Sequence, residues 1–293
     1  MRHSYIPGDV FIFRIVEGEI LGELIGYFTG SDVSHAAMVY DEEHVVEMGP
    51  EGIKVTPICK SAKVPFYHLR HSTQTDMTKV VGAAKKYYNA HIPYDYPSLV
   101  ILAGMIIYHK HRYTPKYKEL VDLILTIACW SLDELLKKIT KRNGAMMCSQ
   151  LVYQCFRDAG CRSRLKLKSS GAVFENEKAD NAIRLVDLVG KNKGMKRLET
   201  FKIPPSINEE EIIRNLYETH IGETELERGG YLTGQDLTDT ASAVNRFMTL
   251  LNKVFKKIGP HIPRPSLFIT PVDLINTKNL SYVRGPEQYK KGE

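Results

Sequence analysis

The sequence is poor in the features that would assign it to a specialised class. Cysteine occurs five times, at 59, 129, 148, 155 and 161. The number is odd and no pair has zinc-ligand spacing, which argues against a disulfide framework or a metal-clasped scaffold. A reducing compartment is the expectation, with no metal and no cofactor. There is no Gly-rich phosphate loop and no Gly-x-Ser-x-Gly elbow, so neither a P-loop protein nor an α/β-hydrolase is indicated. Long apolar runs are missing too. Leu99 to Tyr108 is the most apolar stretch, far short of the roughly 18 residues of a membrane-crossing helix. Met1-Arg2-His3-Ser4-Tyr5 has no apolar signal core. The expectation is a cytoplasmic protein, with export by a dedicated system left open. No internal repeat and no low-complexity segment occurs.

What is present is ordinary for a globular chain. Hydrophobic residues make up 43% and charged residues 25% of 293, enough for a sizeable core without staples. The 40 Lys and Arg against 34 Asp and Glu leave +6. These cations are scattered apart from 191–197 and Lys290-Lys291. That pattern fits a solvated surface, with weak attraction to anionic lipid, rather than a nucleic-acid site.

Pattern and punctuation give a coarse element order. Pro7-Gly8-Asp9 is a turn before the β-rich run Val10 to Arg14. Ile20 to Phe28 is apolar at helical spacing and closes at Gly30. Ser34 to Tyr40 reads as a buried strand, Asp41-Glu42-Glu43 as a loop and His44 to Met48 as the return strand. A turn at Gly49 to Gly52 leads to a short strand Ile53 to Val55, then a strand Val64 to Leu69 and a helix Met77 to Tyr88. Leu99 to Lys138 is apolar and helical, interrupted at 109–113. Met146 to Ala159 is a helix stopped by Gly160, with Cys148, Leu151, Val152, Cys155 and Phe156 on one face. Ser206 with Glu209 suggests a capping box, and a helix from about Thr240 to Ile258 ends at Gly259-Pro260. Leu267 to Thr270 returns to strand character. Strands, helices and a final strand in this order indicate an α+β fold with an antiparallel sheet.

Three residues carry chemical interest. Cys148 lies near the start of its helix, where unpaired amides favour a thiolate and can receive an oxyanion. Its plain alternative is a core cysteine, and Cys155 on the same face fits that description better. His35 stands at the mouth of a buried strand, available to a nucleophile from elsewhere or simply structural. His44, His68, His71, His91, His109 and His111 lie in more ordinary polar surroundings. Glu47 is mid-strand between Val46 and Met48 and needs a partner if buried. Strand alternation makes a conditional demand: a three-residue loop pairs Val39 with Val45 and Ala37 with Glu47, leaving His35 diagonal to Glu47 on one face. A two- or four-residue loop puts Glu47 on the other face.

The motifs taken in order resemble the circularly permuted NlpC/p60 cysteine hydrolases, a papain-like group that includes YiiX-like proteins. The resemblance rests on Pro7-Gly8-Asp9-Val10, Ser34-His35-Ala36-Ala37-Met38-Val39, Val46 to Ile53, Ile92-Pro93-Tyr94-Asp95, Cys148-Ser149-Gln150-Leu151-Val152-Tyr153 and Ile269 to Leu274. It implies one permuted papain-like domain over 1–293, an antiparallel sheet or partial barrel packed on helices. Residues 96–145 and 176–265 would be helical insertions, and 266–284 the closing segment. It also implies that Cys148 is a nucleophile, His35 its base and Glu47 the group orienting the imidazole. Tyr94 would line the site, unless it is only a packing aromatic. The expected activity is a thiol-dependent hydrolase acting through an acyl-enzyme on an amide in a peptide or peptide-like conjugate. Lecithin retinol acyltransferases are similar in arrangement but tend to have a second histidine where Glu47 stands, so a lipid-directed acyltransferase or phospholipase is the second expectation. A non-catalytic binding module is the third.

Overall fold

The computed structural model describes residues 5–29, 31–72, 77–95, 98–99, 101–105, 118–138, 146–167, 234–258 and 269–287. Strands β1 (Val10–Arg14), β2 (Val33–Val39), β3 (His44–Gly49), β4 (Gly52–Pro57), β5 (Phe66–His71) and β6 (Leu280–Glu287) form one open sheet in the order β4-β3-β2-β1-β5-β6. Every neighbouring pair is antiparallel. The described helices are α1 (Ile20–Thr29), α2 (Ile58–Ser61), α3 (Thr78–Asn89), α4 (Lys118–Lys138), α5 (Cys148–Asp158), α6 (Gly234–Ile258) and α7 (Pro271–Ile275). The class is α+β. None of these helices is long and apolar enough to cross a membrane.

The chain divides into two compact units. The first comprises Met1–Asp95, Asn143–Ala172 and Pro263–Glu293; the second comprises Tyr96–Arg142 and Val173–Ile262. Within it, α4 packs on α6. Leu125, Ala128 and Leu132 on one helix and Val244, Phe247 and Leu251 on the other are buried. Both sets follow an i, i+3, i+7 spacing, which keeps one stripe of each helix turned to its partner. Arg246 Nη2 reaches Asp133 Oδ2 at 3.1 Å across that pair.

In the first unit the sheet is apolar on both faces at its centre. Phe11, Phe13, Ala37, Val39, Val45 and Phe66 form one cluster with Ile58 and Ala62 of the α2 region. The alternate residues Val10, Ile12, Ala36, Met38, Val46 and Leu69 are also fully buried. That is why Val10 to Phe13 reads as a continuous apolar run: β1 is a central strand. Helix α5 packs on β2 and β3, α7 on β1 and β2, and α3 on α5.

The Pro7-Gly8-Asp9 turn is fixed from two sides. Gly8 has φ +90, and a Cβ there would meet the Met77 sulfur at 2.8 Å. Asp9 is buried and accepts from His68 Nε2 at 2.7 Å and from Arg70 Nε at 2.7 Å. His68 and His71 are therefore not in ordinary polar surroundings. Both are buried, and His71 stacks on Phe156 and bonds to Asn279 at 2.7 Å.

Two local expectations change. Residues 269–270 are not strand. Thr270 accepts from Asp273 N, Asp273 Oδ2 accepts from Thr270 N, and Pro271 occupies the first turn, so this segment opens α7. A Thr-Pro-x-Asp start is a helix signal and outweighs the β-rich residues before it. The closing strand comes later, at Leu280–Glu287. The Ser206–Glu209 capping box and the interruption at 109–113 lie outside the described residues.

Candidate active site

The site begins with a hairpin. Tyr40 N donates to His44 O at 2.8 Å, closing a three-residue loop at Asp41-Glu42-Glu43. Asp41 Oδ1 accepts from the backbone amides of Glu43 and His44 at 2.9 and 2.8 Å, which holds the loop at that length. The register that follows is Val39 opposite Val45 and Ala37 opposite Glu47. His35 and Glu47 then share a face on a diagonal, and His35 Nε2 lies 2.9 Å from Glu47 Oε2. Between Phe13 and Arg14 the β1–β2 pairing shifts from His35 to Val33, leaving Ser34 as an extra residue beside His35. Such a bulge turns the adjoining side chain away from a regular sheet direction. The Phe13 ring, with its centroid 5.6 Å away, packs against the imidazole.

Cys148 arrives from another part of the chain as the first residue of α5. Three contacts fix its approach. Met146 pairs with Tyr94 as an isolated parallel bridge, with Asp95 N donating to Met146 O at 3.1 Å and Met146 N to Pro93 O at 3.2 Å. Ile53 N donates to Ile92 O at 3.1 Å, joining that bridge to β4. Gly52 sits at φ +98, and a Cβ there would come within 3.0 Å of Ile92 O. On the far side the Ser149 hydroxyl donates to Ile269 O, tying the helix start to the segment before α7.

Cys148 and His35 line one cleft, and each bears on the charge of the other. With Nε2 on Glu47, the imidazole has Nδ1 left for the sulfur. Burial pushes the Cys148 thiol up, but the hydrogen bond and charge of His35 outweigh it, helped by the backbone amides of Ala36 and Ser149. The net effect holds the thiol below its ordinary value. Burial likewise opposes the imidazolium, yet the bond and charge of Cys148, then those of Glu47, hold His35 up at about 10. For Glu47, burial raises the carboxyl, while His35, the Thr56 hydroxyl and the Lys54 charge bring it down to about 2. Each group of the pair thus favours the charged form of the other. The other buried thiols behave oppositely: burial pushes Cys155 up, and pushes Cys129 up to about 12.

A cleft of about 440 Å³ opens on these groups. Cys148, His35, Glu47 and Tyr94 all line it, and its walls are mostly apolar, with Phe13, Val16, Ile25 and Val64 among them. Cys148 is 3% exposed and the His35 side chain 29%, so the cleft meets the pair from the imidazole side. The arrangement brings together every residue the sequence singled out. Among the described residues no group of three or more His, Cys, Asp or Glu side chains is placed to hold a metal ion.

Two further groups escape the sequence reading. Thr56 Oγ1 donates to Glu47 Oε1 at 2.6 Å, and Lys54 Nζ lies 3.8 Å from the same oxygen. The expected strand Ile53 to Val55 stops one residue before Thr56, whereas β4 extends to Pro57. The alternation of Lys54 and Thr56 on one face was the available signal.

No protein-family model matches the chain, and no curated protein matches it. Among solved structures, the crystal structure of metalloprotein yiiX from Escherichia coli is similar at a TM-score of 0.41 and 14% identity, over 97% of this chain and 98% of that one. A likeness that distant carries no argument about chemistry here.

Proposed function

We propose that this chain is a thiol-dependent hydrolase that works through an acyl-enzyme and cleaves an amide bond in a peptide or peptide-like conjugate. In this reading the sheet and α5 form a permuted papain-like core, with His35 and Glu47 preceding Cys148 in the chain. The observation that carries it is the Glu47–His35 hydrogen bond in a cleft that Cys148 also lines, with the sulfur at the first turn of a helix. The Cys148 thiolate attacks the substrate carbonyl carbon, forming the S–C bond while the carbonyl electrons move to oxygen. Amide donors at the helix start receive that oxyanion. His35 gives its proton to the departing amine as the C–N bond breaks. It then takes a proton from water, which attacks the thioester and releases the acid and the thiolate. Glu47 keeps the ring oriented and favours its charged form.

A second reading follows from the mostly apolar cleft lining. The acyl donor would then be a lipid, with transfer to an acceptor other than water.

One experiment tests both. The intact protein is incubated with peptide amides and with labelled phospholipids, then digested and analysed by mass. An acyl group on the Cys148 peptide, absent in Cys148→Ala, is the expected result, and its identity separates the two readings. Turnover that survives Cys148→Ala refutes both.

A further inference from the structure

Glu47 has two carboxylate oxygens, and the proposed reaction uses only one. Oε2 faces His35 Nε2 at 2.9 Å. Oε1 is held separately, by the Thr56 hydroxyl at 2.6 Å and the Lys54 ammonium at 3.8 Å. Register explains why both reach it. Lys54 lies directly opposite Glu47 across β3 and β4, and Thr56 lies opposite Val45, one diagonal step along the same face. The Thr56 distance is that of a hydroxyl donating to an ionised carboxylate, the stronger kind of hydrogen bond. A hydroxyl has one proton to donate, so Thr56 commits it to Glu47. Lys54 is half-exposed and farther off, a weaker tether.

From this geometry we infer that Thr56 is a positioning residue that fixes the rotation of the Glu47 carboxylate and so secures the proton on His35. The inference rests on the thiol-hydrolase reading of the same site. Thr56 touches no reacting atom; it acts through Glu47. Without its hydroxyl, Oε1 is held by Lys54 alone and the carboxylate turns about its terminal torsion. Oε2 then spends less time on Nε2, and His35 holds its proton less tightly. The neutral thiol–imidazole pair gains at the expense of thiolate and imidazolium.

The opposite outcome is a real alternative. A hydroxyl also withdraws charge from the carboxylate it donates to. If orientation were unaffected, losing it would make Glu47 a better acceptor, and His35 would hold its proton more tightly. The sign of the change therefore decides between positioning and charge withdrawal.

The test is an NMR titration of the His35 ring in the full chain carrying labelled histidine, with His35→Asn identifying the resonance. Thr56→Val removes the hydroxyl and keeps the shape, and Thr56→Ser retains the hydroxyl. The expected result is a His35 midpoint lower by about one pH unit in Thr56→Val, a tenfold weaker hold on the proton, and recovery in Thr56→Ser. Should Thr56→Val fail to fold, Thr56→Ala is read in the same way. An unmoved or raised midpoint overturns the inference, as does a Thr56→Ser variant that behaves like Thr56→Val. Iodoacetamide labelling of a Cys59→Ser/Cys161→Ser variant, which lacks the exposed competing thiols, runs in parallel. If Cys148 is not the first cysteine labelled, the site reading itself fails and the inference with it. If Cys148 is labelled first and the His35 midpoint stays put, Thr56 alone is overturned.

Discussion

Replacing His35 by Asn should cost Cys148 most of its reactivity near pH 6, and the size of the loss can be worked out. Burial pushes the Cys148 thiol up, and His35 is the largest influence bringing it down. Two unit charges about 4 Å apart attract by about 4 kcal/mol at an effective dielectric of about 20. At about 1.4 kcal/mol per power of ten, that is about three powers of ten in thiolate population. The rate falls by less, because a more basic thiolate is a better nucleophile. With a Brønsted coefficient of about 0.5, half of the loss on the logarithmic scale is recovered, leaving about a 30-fold drop. The exposed thiols Cys59 and Cys161 compete for reagent, so the comparison belongs in a Cys59→Ser/Cys161→Ser background. Cys129 and Cys155 stay protonated there, since burial pushes both up. The assay is iodoacetamide labelling at pH 6, followed by quantifying the Cys148 peptide. Equal labelling rates with and without His35 would refute the ion pair.

Glu47 gives the acid side of the stability profile a defined shape. Its folded value of about 2 lies below its ordinary 4.5. The stabilisation is therefore full above pH 4.5 and fades as pH falls towards about 2, at most about 3 kcal/mol over that window. Urea unfolding of wild type and Glu47→Gln between pH 5 and pH 2 should show the acid loss blunted in the variant; parallel curves would count against the assignment. On the alkaline side the sign reverses. His35 is raised from 6.5 to about 10, so its contribution is complete below 6.5 and fades towards 10. Asp9→Asn should be costly for a different reason. It leaves buried His68 and half-buried Arg70 without their carboxylate, and breaking such a buried pair costs about 3 kcal/mol or more. A urea-unfolding loss under about 1 kcal/mol would show that the cluster is dispensable.

Much of the first unit is legible because its signals are local. A three-residue loop with Asp41 at its start, alternation on either side, and Gly49-Pro50-Glu51-Gly52 as the next turn define three consecutive strands. Helix α5 follows from its apolar spacing and its stop at Gly160. What misled was also local. The residues around 267–270 look β-rich, but the helix cap formed by Thr270, Pro271 and Asp273 prevails there. His68 looked solvated because nothing in its neighbourhood along the chain reveals Asp9, 59 residues away.

The sequence by itself determined the His35–Glu47 diagonal, conditional on a loop length that it also contains. A strand has a period of two, so counting residues fixes which side chains share a face. It also determined that Cys148 stands at a helix start. Only the tertiary structure decided that these two facts concern one place. Bringing Cys148 to His35 depends on the Tyr94–Met146 bridge, the Ile53–Ile92 hydrogen bond and the Ser149–Ile269 tether, contacts between segments far apart in the chain. The protonation of the site was likewise out of reach of the sequence. Burial opposes the charge on each of the three groups, and their mutual influence, with Thr56, Lys54 and the amides of Ala36 and Ser149, reverses that opposition.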